Sequence, residues 1–305
     1  MGTGRPGTWH PTPISLAFLL VAFVSPLPAQ SLYDSALAAR SRGQLDSAWE
    51  LVQRAAEAEP DRAEVQFLLG DIACDRAGRA SAFSAFGLAR KCKAGFARAV
   101  ELAPDSVPYL EALAEYLSQA PGIVGGHKDS ALKLAARVRA HDDVRGAFLE
   151  ARFLWAKNGE SKARADSIVE ALGKSHPGDR GVQFRIANWW AGTARDERAL
   201  ALYLGLVARD PRDAVARFFV GRELVVLKRE PRRAQEHLRF AAAASVPALG
   251  PNVATFAPGA PWYRLGQTYV QLGMPDSARL CFRRALEINP QLAPARLALD
   301  SLTHH

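Results

Sequence analysis

PWYRLGQTYVQLGMPDSARLCFRRALEINP, residues 261–290, is the segment with the clearest helical pattern in this chain. Apolar side chains recur every three or four positions along both halves of the stretch, which predicts two amphipathic helices. Gly266 and Ala278 are small enough to let the two helices approach closely, while larger residues fill the space around them. Pro290 cannot continue the second helix, so the chain turns there toward another element.

The same pattern recurs along most of the chain. Small residues stand at equivalent places in other first helices, namely Gly70, Ala187 and Gly221. Prolines end successive second helices at Pro60, Pro104, Pro177, Pro211 and Pro290. Asp143 stands in the equivalent place between Pro104 and Pro177, and the step is 34 residues from Asp143 to Pro177 and again from Pro177 to Pro211. Other steps are longer, with extra residues placed between helices. Ala, Leu, Arg and Glu dominate these segments, and runs typical of strands do not occur.

Residues 261–290 resemble the tetratricopeptide repeat (TPR) family, because they match its W-x2-L-G-x2-Y, A-x3-F and P signature, and 34 residues is the period of that family. The loop PGIVGG, residues 121–126, is similar to one in exported bacterial members, so the resemblance is to the exported bacterial type. The resemblance extends over essentially all of residues 30–305 and implies an all-α fold. The expected architecture is a right-handed α-solenoid of about seven TPR-like helix pairs plus a C-terminal capping helix. The expected pairs span residues 31–62, 63–106, 107–145, 146–179, 180–213, 214–250 and 259–291, and the capping helix spans 292–303.

Two connections depart from the standard length. The second helix of the second pair is expected to run from near Ala80 to Leu102, which is unusually long. Residues 244–261 hold four prolines, the last of which is Pro261, and are expected to cross between pairs without helix.

The segment SQAPGIVGGHKDSALKLA, residues 118–135, contains residue types found in phosphate-binding loops. A Walker-type loop follows a strand and has Gly, Lys and Ser in direct succession, whereas here a helix precedes and His127 separates Gly126 from Lys128. We therefore expect an enlarged turn in which Pro121 ends one helix, glycines adopt positive φ, and Asp129 or Ser130 caps the next helix.

The first residues have the composition of a secretory signal peptide. Arg5 and His10 precede the apolar run 14–24, and Ala29 is the expected last residue removed. This predicts a signal peptide at residues 1–29 and an exported protein, periplasmic or extracellular. An uncleaved membrane anchor is the alternative.

The net charge of +8 comes from Lys and Arg scattered among Asp and Glu, so no nucleic-acid partner is expected. The three cysteines, Cys74, Cys92 and Cys281, have no metal-ligand spacing, and no metal or cofactor is expected. Each cysteine fits a helix interface. Three buried thiols are therefore expected, with a Cys74–Cys92 disulfide as the alternative.

An enzyme is not expected, because the histidines are dispersed and no catalytic motif is present. The family resemblance instead implies protein–protein recognition by first helices that line a groove. We expect a non-enzymatic scaffold of the bacterial cell envelope that binds a protein or peptide. The alternative is a structural subunit of a membrane-associated envelope assembly complex, and peripheral membrane association is compatible with both.

Groove positions inferred from the resemblance are partly aromatic, with Glu111 as an interruption. The Lys, Arg and Asn residues that clamp a C-terminal carboxylate in one TPR subgroup are absent from the equivalent early positions. The expected partner-binding residues are Phe67, Phe184, Asn188, Trp189, Phe218, Arg222, Tyr263 and Gln267. The alternative is that the aromatic rings only fill gaps between adjacent first helices.

Overall fold

The computed structural model of the protein describes residues 29–156, 160–244 and 256–303. Within these ranges it contains fifteen α-helices, one short 3-10 helix and no strand, which confirms the predicted all-α fold. Residues 1–28 of the predicted signal peptide and residues 245–255 of the predicted crossing lie outside the described residues. No helix in the described ranges is both long and apolar enough to cross a membrane.

The chain divides into two compact units, of which the first ends at Ala103. Its helices are α1 (Ala29–Ser41), α2 (Leu45–Ala58), α3 (Ala63–Ala77) and α4 (Ala82–Leu102). Consecutive helices pack on one another, and small and β-branched side chains form much of the buried core. With 21 residues, α4 is the long second helix that the sequence predicts.

The second unit begins at Pro104. Its helices are α5 (Val107–Gln119), α6 (Lys128–His141), α7 (Asp143–Trp155), α8 (Glu160–Ser175), α9 (Arg180–Gly192), α10 (Asp196–Arg209), α11 (Ala214–Val226), α12 (Pro231–Ala243), α13 (Ala260–Gln271), α14 (Pro275–Ile288) and α15 (Ala293–Thr303). Each packs on the next along the chain. In chain order, the fifteen described α-helices correspond to seven successive pairs and one final helix. α7 starts before the expected boundary at residue 146, and α13 starts at Ala260, inside the expected crossing.

The helix pair α13–α14, formed by residues 261–290, shows why small residues are needed between paired helices. Leu265, Phe282 and Ala285 are buried between α13 and neighbouring helices. A Cβ added to Gly266 would lie 2.4 Å from Cε1 of Phe282, closer than nonbonded carbon atoms approach. Glycine at position 266 therefore lets the Phe282 ring lie directly against the backbone of α13.

The turn at residues 120–127 differs from the predicted one in the residue that caps the following helix, α6. A 3-10 helix, Gly122–Val124, follows α5, and Gly125 adopts the expected positive φ of 90°. The residue that caps α6 is His127, whose Nδ1 accepts a hydrogen bond from the Ser130 amide at 3.1 Å. Asp129 and Ser130 already lie inside the first turn of α6, so the expected cap at either position is wrong.

A disulfide joins Cys74 of α3 to Cys92 of α4, with the two Cα atoms 5.1 Å apart. The expectation of three buried thiols is therefore wrong, and the alternative pairing is the one observed. Close packing of α3 on α4 brings the two Cα atoms within the range that a disulfide spans. Cys281 is free and buried, and burial raises the pKa of its thiol to about 11.

Because α3 and α4 approach closely, the effect of a glycine substitution in α4 on stability should depend strongly on its position. A Cβ on Gly95 would lie 2.6 Å from the Gly70 nitrogen and 2.7 Å from the Gln66 oxygen, both backbone atoms. We expect Gly95→Ala to lower the free energy of unfolding of the first unit by about 1–3 kcal/mol, since α3 must shift away.

Gly87→Ala, in the same helix, is the matched control. Nothing lies within 4 Å of a Cβ at position 87, so this change should stabilise the unit by about 0.5–1 kcal/mol through helix propensity. Hydrogen exchange of the α3 and α4 amides measures both changes. Equal effects of the two substitutions would contradict the close approach.

Candidate partner-binding surface

Phe184 and Phe218, two of the expected groove residues, lie in the core of the second unit. Their side chains are 1% and 5% exposed. The Phe184 ring centre is 4.9 Å from that of Phe219, and the Phe218 ring centre is 4.7 Å from that of Phe256. The structure therefore places both rings beneath the surface, where they fill the gaps between helices.

Two further expected aromatic residues, Phe67 and Tyr263, are half-buried. The Phe67 ring lies 5.4 Å from Phe96, inside the first unit. The Tyr263 ring lies 6.0 Å from Phe282, in the second unit. The four aromatic residues thus do not form an exposed row within either unit.

Asn188 and Arg222 belong to a polar network behind the surface. The Asn188 Oδ1 atom accepts a hydrogen bond from the Tyr203 hydroxyl at 2.6 Å. Arg222 donates from Nε to the carboxylate of Glu223 at 2.7 Å, and its guanidinium lies 4.3 Å from the Phe219 ring centre. Burial of Glu223 raises the pKa of its carboxyl above the ordinary value. The network orients Asn188 while leaving that residue exposed.

Trp189 and Gln267 are also held by intramolecular contacts. The Trp189 indole donates from Nε1 to Asp166 at 3.3 Å. Gln267 donates to the Tyr263 hydroxyl at 2.9 Å and accepts from Arg264, also at 2.9 Å. Burial lowers the pKa of the Arg264 guanidinium. These side chains are half-buried and present fixed, partly polar edges to solvent.

Three of the first helices, α5, α7 and α9, surround a cavity of about 390 Å³. Its lining residues are Glu111, Arg145, Phe148, Leu149, Arg152, Arg185, Asn188 and Trp189. Asn188 and Trp189 were expected at the binding site. The arginines were not, and they make the cavity predominantly basic.

Two of these arginines are paired with carboxylates of α5. Arg145 donates to both oxygens of Glu111, at 3.1 Å from Nε and 2.8 Å from Nη2. Arg152 pairs with Glu115. The paired residues Glu111 and Arg145 are separated by 34 positions, which is the repeat length, so opposite charges at that spacing were the sequence signal for this site.

Arg185 differs from the other two arginines. Its guanidinium lies 4.3 Å from the Phe148 ring centre, and no carboxylate of the described residues forms an ion pair with it. Desolvation, the largest effect on this group, lowers the pKa of Arg185 from its ordinary value, but a guanidinium remains charged near neutral pH. Arg185 is therefore an exposed cation, stacked on an aromatic ring, that can bind an anionic group.

Comparison with known proteins supports the repeat and the fold. The sequence model of the tetratricopeptide repeat matches residues 260–292. No curated protein matches the sequence. A tetratricopeptide repeat protein from Parabacteroides merdae has a similar structure, with a TM-score of 0.55, 13% identity, and coverage of 91% of this chain and 99% of the other.

Human IFIT1, solved as a dimer with m7Gppp-AAAA, has a TM-score of 0.52 and 16% identity. The alignment covers 91% of this chain but only 62% of IFIT1. At these identities both likenesses concern the fold alone. This chain thus carries a tetratricopeptide repeat at residues 260–292, within an all-α fold of the kind found in tetratricopeptide repeat proteins.

Proposed function

We propose that the protein is a non-enzymatic interaction scaffold of the bacterial cell envelope that binds a peptide or protein partner on the first helices of its second unit. The observation that carries this proposal is Arg185, an exposed cation without a carboxylate partner among the described residues. It lies beside a cavity of about 390 Å³. A preformed cavity with a few oriented polar groups is the usual form of a binding site.

The chemistry of the cavity favours a segment that carries Asp or Glu side chains. A guanidinium can donate two parallel hydrogen bonds to one carboxylate. Phe148 holds the Arg185 guanidinium in place from one side, which lowers the entropic cost of binding. Exposed Asn188 can donate or accept a hydrogen bond from the backbone of the bound segment.

The envelope location rests on two supports. The predicted signal peptide at residues 1–29 directs export. The Cys74–Cys92 disulfide is of a kind that persists in oxidising compartments and is rare in the cytosol.

The binding surface can be tested with a photo-crosslinking amino acid introduced at Asn188 in intact cells. Arg283 of α14 is exposed and far from the cavity lining in sequence and element, so the same substitution there is the control. We expect a discrete crosslinked partner from position 188 and none from position 283.

The purified partner then allows the role of Arg185 to be measured. We expect Arg185→Glu to weaken binding by about 2 kcal/mol or more, roughly thirtyfold, because it replaces attraction by repulsion. Arg283→Glu should leave affinity unchanged. Unaltered affinity of a folded Arg185→Glu variant would contradict the proposed site.

The second candidate, a structural subunit of a membrane-associated assembly, predicts another outcome. Crosslinks would then form from positions 188 and 283 alike, and the protein would be recovered only in a large membrane complex.

Binding of single-stranded RNA that depends on Arg185 would instead contradict a protein or peptide partner.

A further inference from the structure

The N-terminal part of α4 extends past the helix that it packs against. The disulfide ties Cys92 of α4 to Cys74 of α3. Only three residues of α3 follow Cys74, whereas ten residues of α4 precede Cys92 and span about 15 Å at 1.5 Å per residue. Residues 82–88 therefore project beyond the end of α3.

This projecting part carries two exposed aromatic side chains. Phe83 is 94% exposed and Phe86 is 40% exposed. With Gly87 and Arg90 they stand at helical spacings of three, four and seven residues, so the four share one side of α4. We call these four residues the Phe83 face.

The opposite side of the projecting part faces the rest of the first unit. Ser84 and Leu88 line a cavity together with Gly43, which lies in the connection from α1 to α2, and Leu45, the first residue of α2. A second cavity of this unit is lined by Lys91, Gly95 and Arg98 of α4. The Phe83 face lines neither cavity and points away from the core, so it forms a convex apolar ridge.

The chain around this ridge is strongly basic. Residues 76–100 contain six Lys and Arg residues and no Asp or Glu. Arg76 and Arg98 form ion pairs with Asp46 and Asp61. Among the described residues, no ion pair is formed by the other four cations, which are Arg79, Arg90, Lys91 and Lys93.

We propose that the Phe83 face docks on an anionic phospholipid surface. Phe83 and Phe86 enter the boundary between headgroups and acyl chains, and Arg90 and Lys93 contact lipid phosphates. Amphipathic helices with aromatic residues on one side and cations beside them bind membrane interfaces in this way. This surface belongs to the first unit and shares no residue with the partner-binding surface proposed above.

The shape of the ridge favours lipid over a peptide. Peptide and ligand sites are concave and enclose the bound group. Phe83 instead stands almost fully in solvent on a convex surface, where a deformable bilayer can surround it and a short peptide cannot. The unpaired cations add attraction for a negatively charged surface.

A local fluorescent probe tests this docking in the full chain. The apolar run 14–24 gives the chain a second route to lipid, so total vesicle binding is not a sufficient measurement. Gly87→Cys places a thiol on the Phe83 face for attachment of an environment-sensitive dye. Cys74 and Cys92 are bonded and Cys281 is buried, so the dye attaches at position 87.

With phosphatidylglycerol vesicles we expect a blue shift of the dye and quenching by lipids brominated along the acyl chain. Phosphatidylcholine vesicles should give neither. Phe83→Ala with Phe86→Ala should raise the lipid concentration needed for half of the signal at least about tenfold. Leu280→Ala with Leu297→Ala removes two other exposed apolar side chains and should change nothing.

Arg90→Glu should also lower the preference for phosphatidylglycerol, and added salt should weaken the signal of the unaltered Phe83 face. These side chains are exposed, so the variants should keep their helical circular-dichroism spectrum. Absence of quenching at position 87 with anionic vesicles would overturn the proposal. Equal quenching by both kinds of vesicle would overturn it as well, as would a dye response only to an acidic protein.

Discussion

Replacement of Phe184 by alanine should lower the free energy of unfolding of the second unit by about 3–5 kcal/mol, as for other aromatic residues truncated in a core. The Phe184 ring packs edge-on against Tyr203 and Phe219, with ring centres 5.3 Å and 4.9 Å away. Its side chain is 1% exposed, so truncation leaves a cavity that these rigid neighbours cannot close. Phe218→Ala should have an effect of the same kind.

Phe240→Ala is the matched control for Phe184→Ala. The Phe240 side chain is 38% exposed, and its ring centre lies 4.4 Å from the Arg217 guanidinium. We expect this change to cost clearly less than Phe184→Ala. Hydrogen exchange of the α9 and α11 amides in both variants measures the difference.

The same experiment separates a core role from a binding role for Phe184. If Phe184 lined the binding groove, Phe184→Ala would lower the affinity for the partner while the second unit stayed folded. The burial of Phe184 predicts instead that stability falls first. Equal amide protection in the Phe184→Ala variant and the unaltered protein would contradict this burial.

Loss of the Cys74–Cys92 disulfide should destabilise the first unit by about 3 kcal/mol. The two cysteines are 18 residues apart, and a crosslink across a loop of that size restricts the unfolded chain by about this amount. The α4 amides should therefore exchange faster in a Cys74→Ala, Cys92→Ala variant than in the oxidised protein.

Reductant provides the control for the disulfide prediction. Dithiothreitol should accelerate exchange in the unaltered protein and have no effect on the double variant. Cys281 is present in both, so its buried thiol does not contribute to the difference. An equal response of the two proteins to reductant would show that the disulfide does not stabilise α3 and α4.

Local sequence determined the helices and their pairing. Helix propensity, apolar spacing and terminal prolines act within about 34 residues, so they can be recognised without knowledge of the tertiary structure. This is why the pair at residues 261–290, the long helix α4 and the final helix α15 were predicted close to their observed bounds.

The candidate site was predicted less completely. Asn188 and Trp189, two of the predicted binding residues, line the cavity on α9. Phe184 and Phe218 do not, because a difference of one position on a helix turns a side chain by about 100° between surface and core. The 34-residue spacing of Glu111 and Arg145 indicated their pairing, but the basic character of the cavity was missed, because only the folded chain shows that Arg185 has no ion pair among the described residues.

The amino-acid pattern thus predicts an all-helical chain of repeated pairs, together with the small residues that those pairs require. It does not predict which aromatic rings are buried, that Cys74 faces Cys92, or that Phe83 projects into solvent, because these depend on how the helices pack. The difference arises from the distance along the chain over which the interactions act. Helix formation depends on neighbours within a few turns, whereas burial and bonding depend on distances between helices that packing sets.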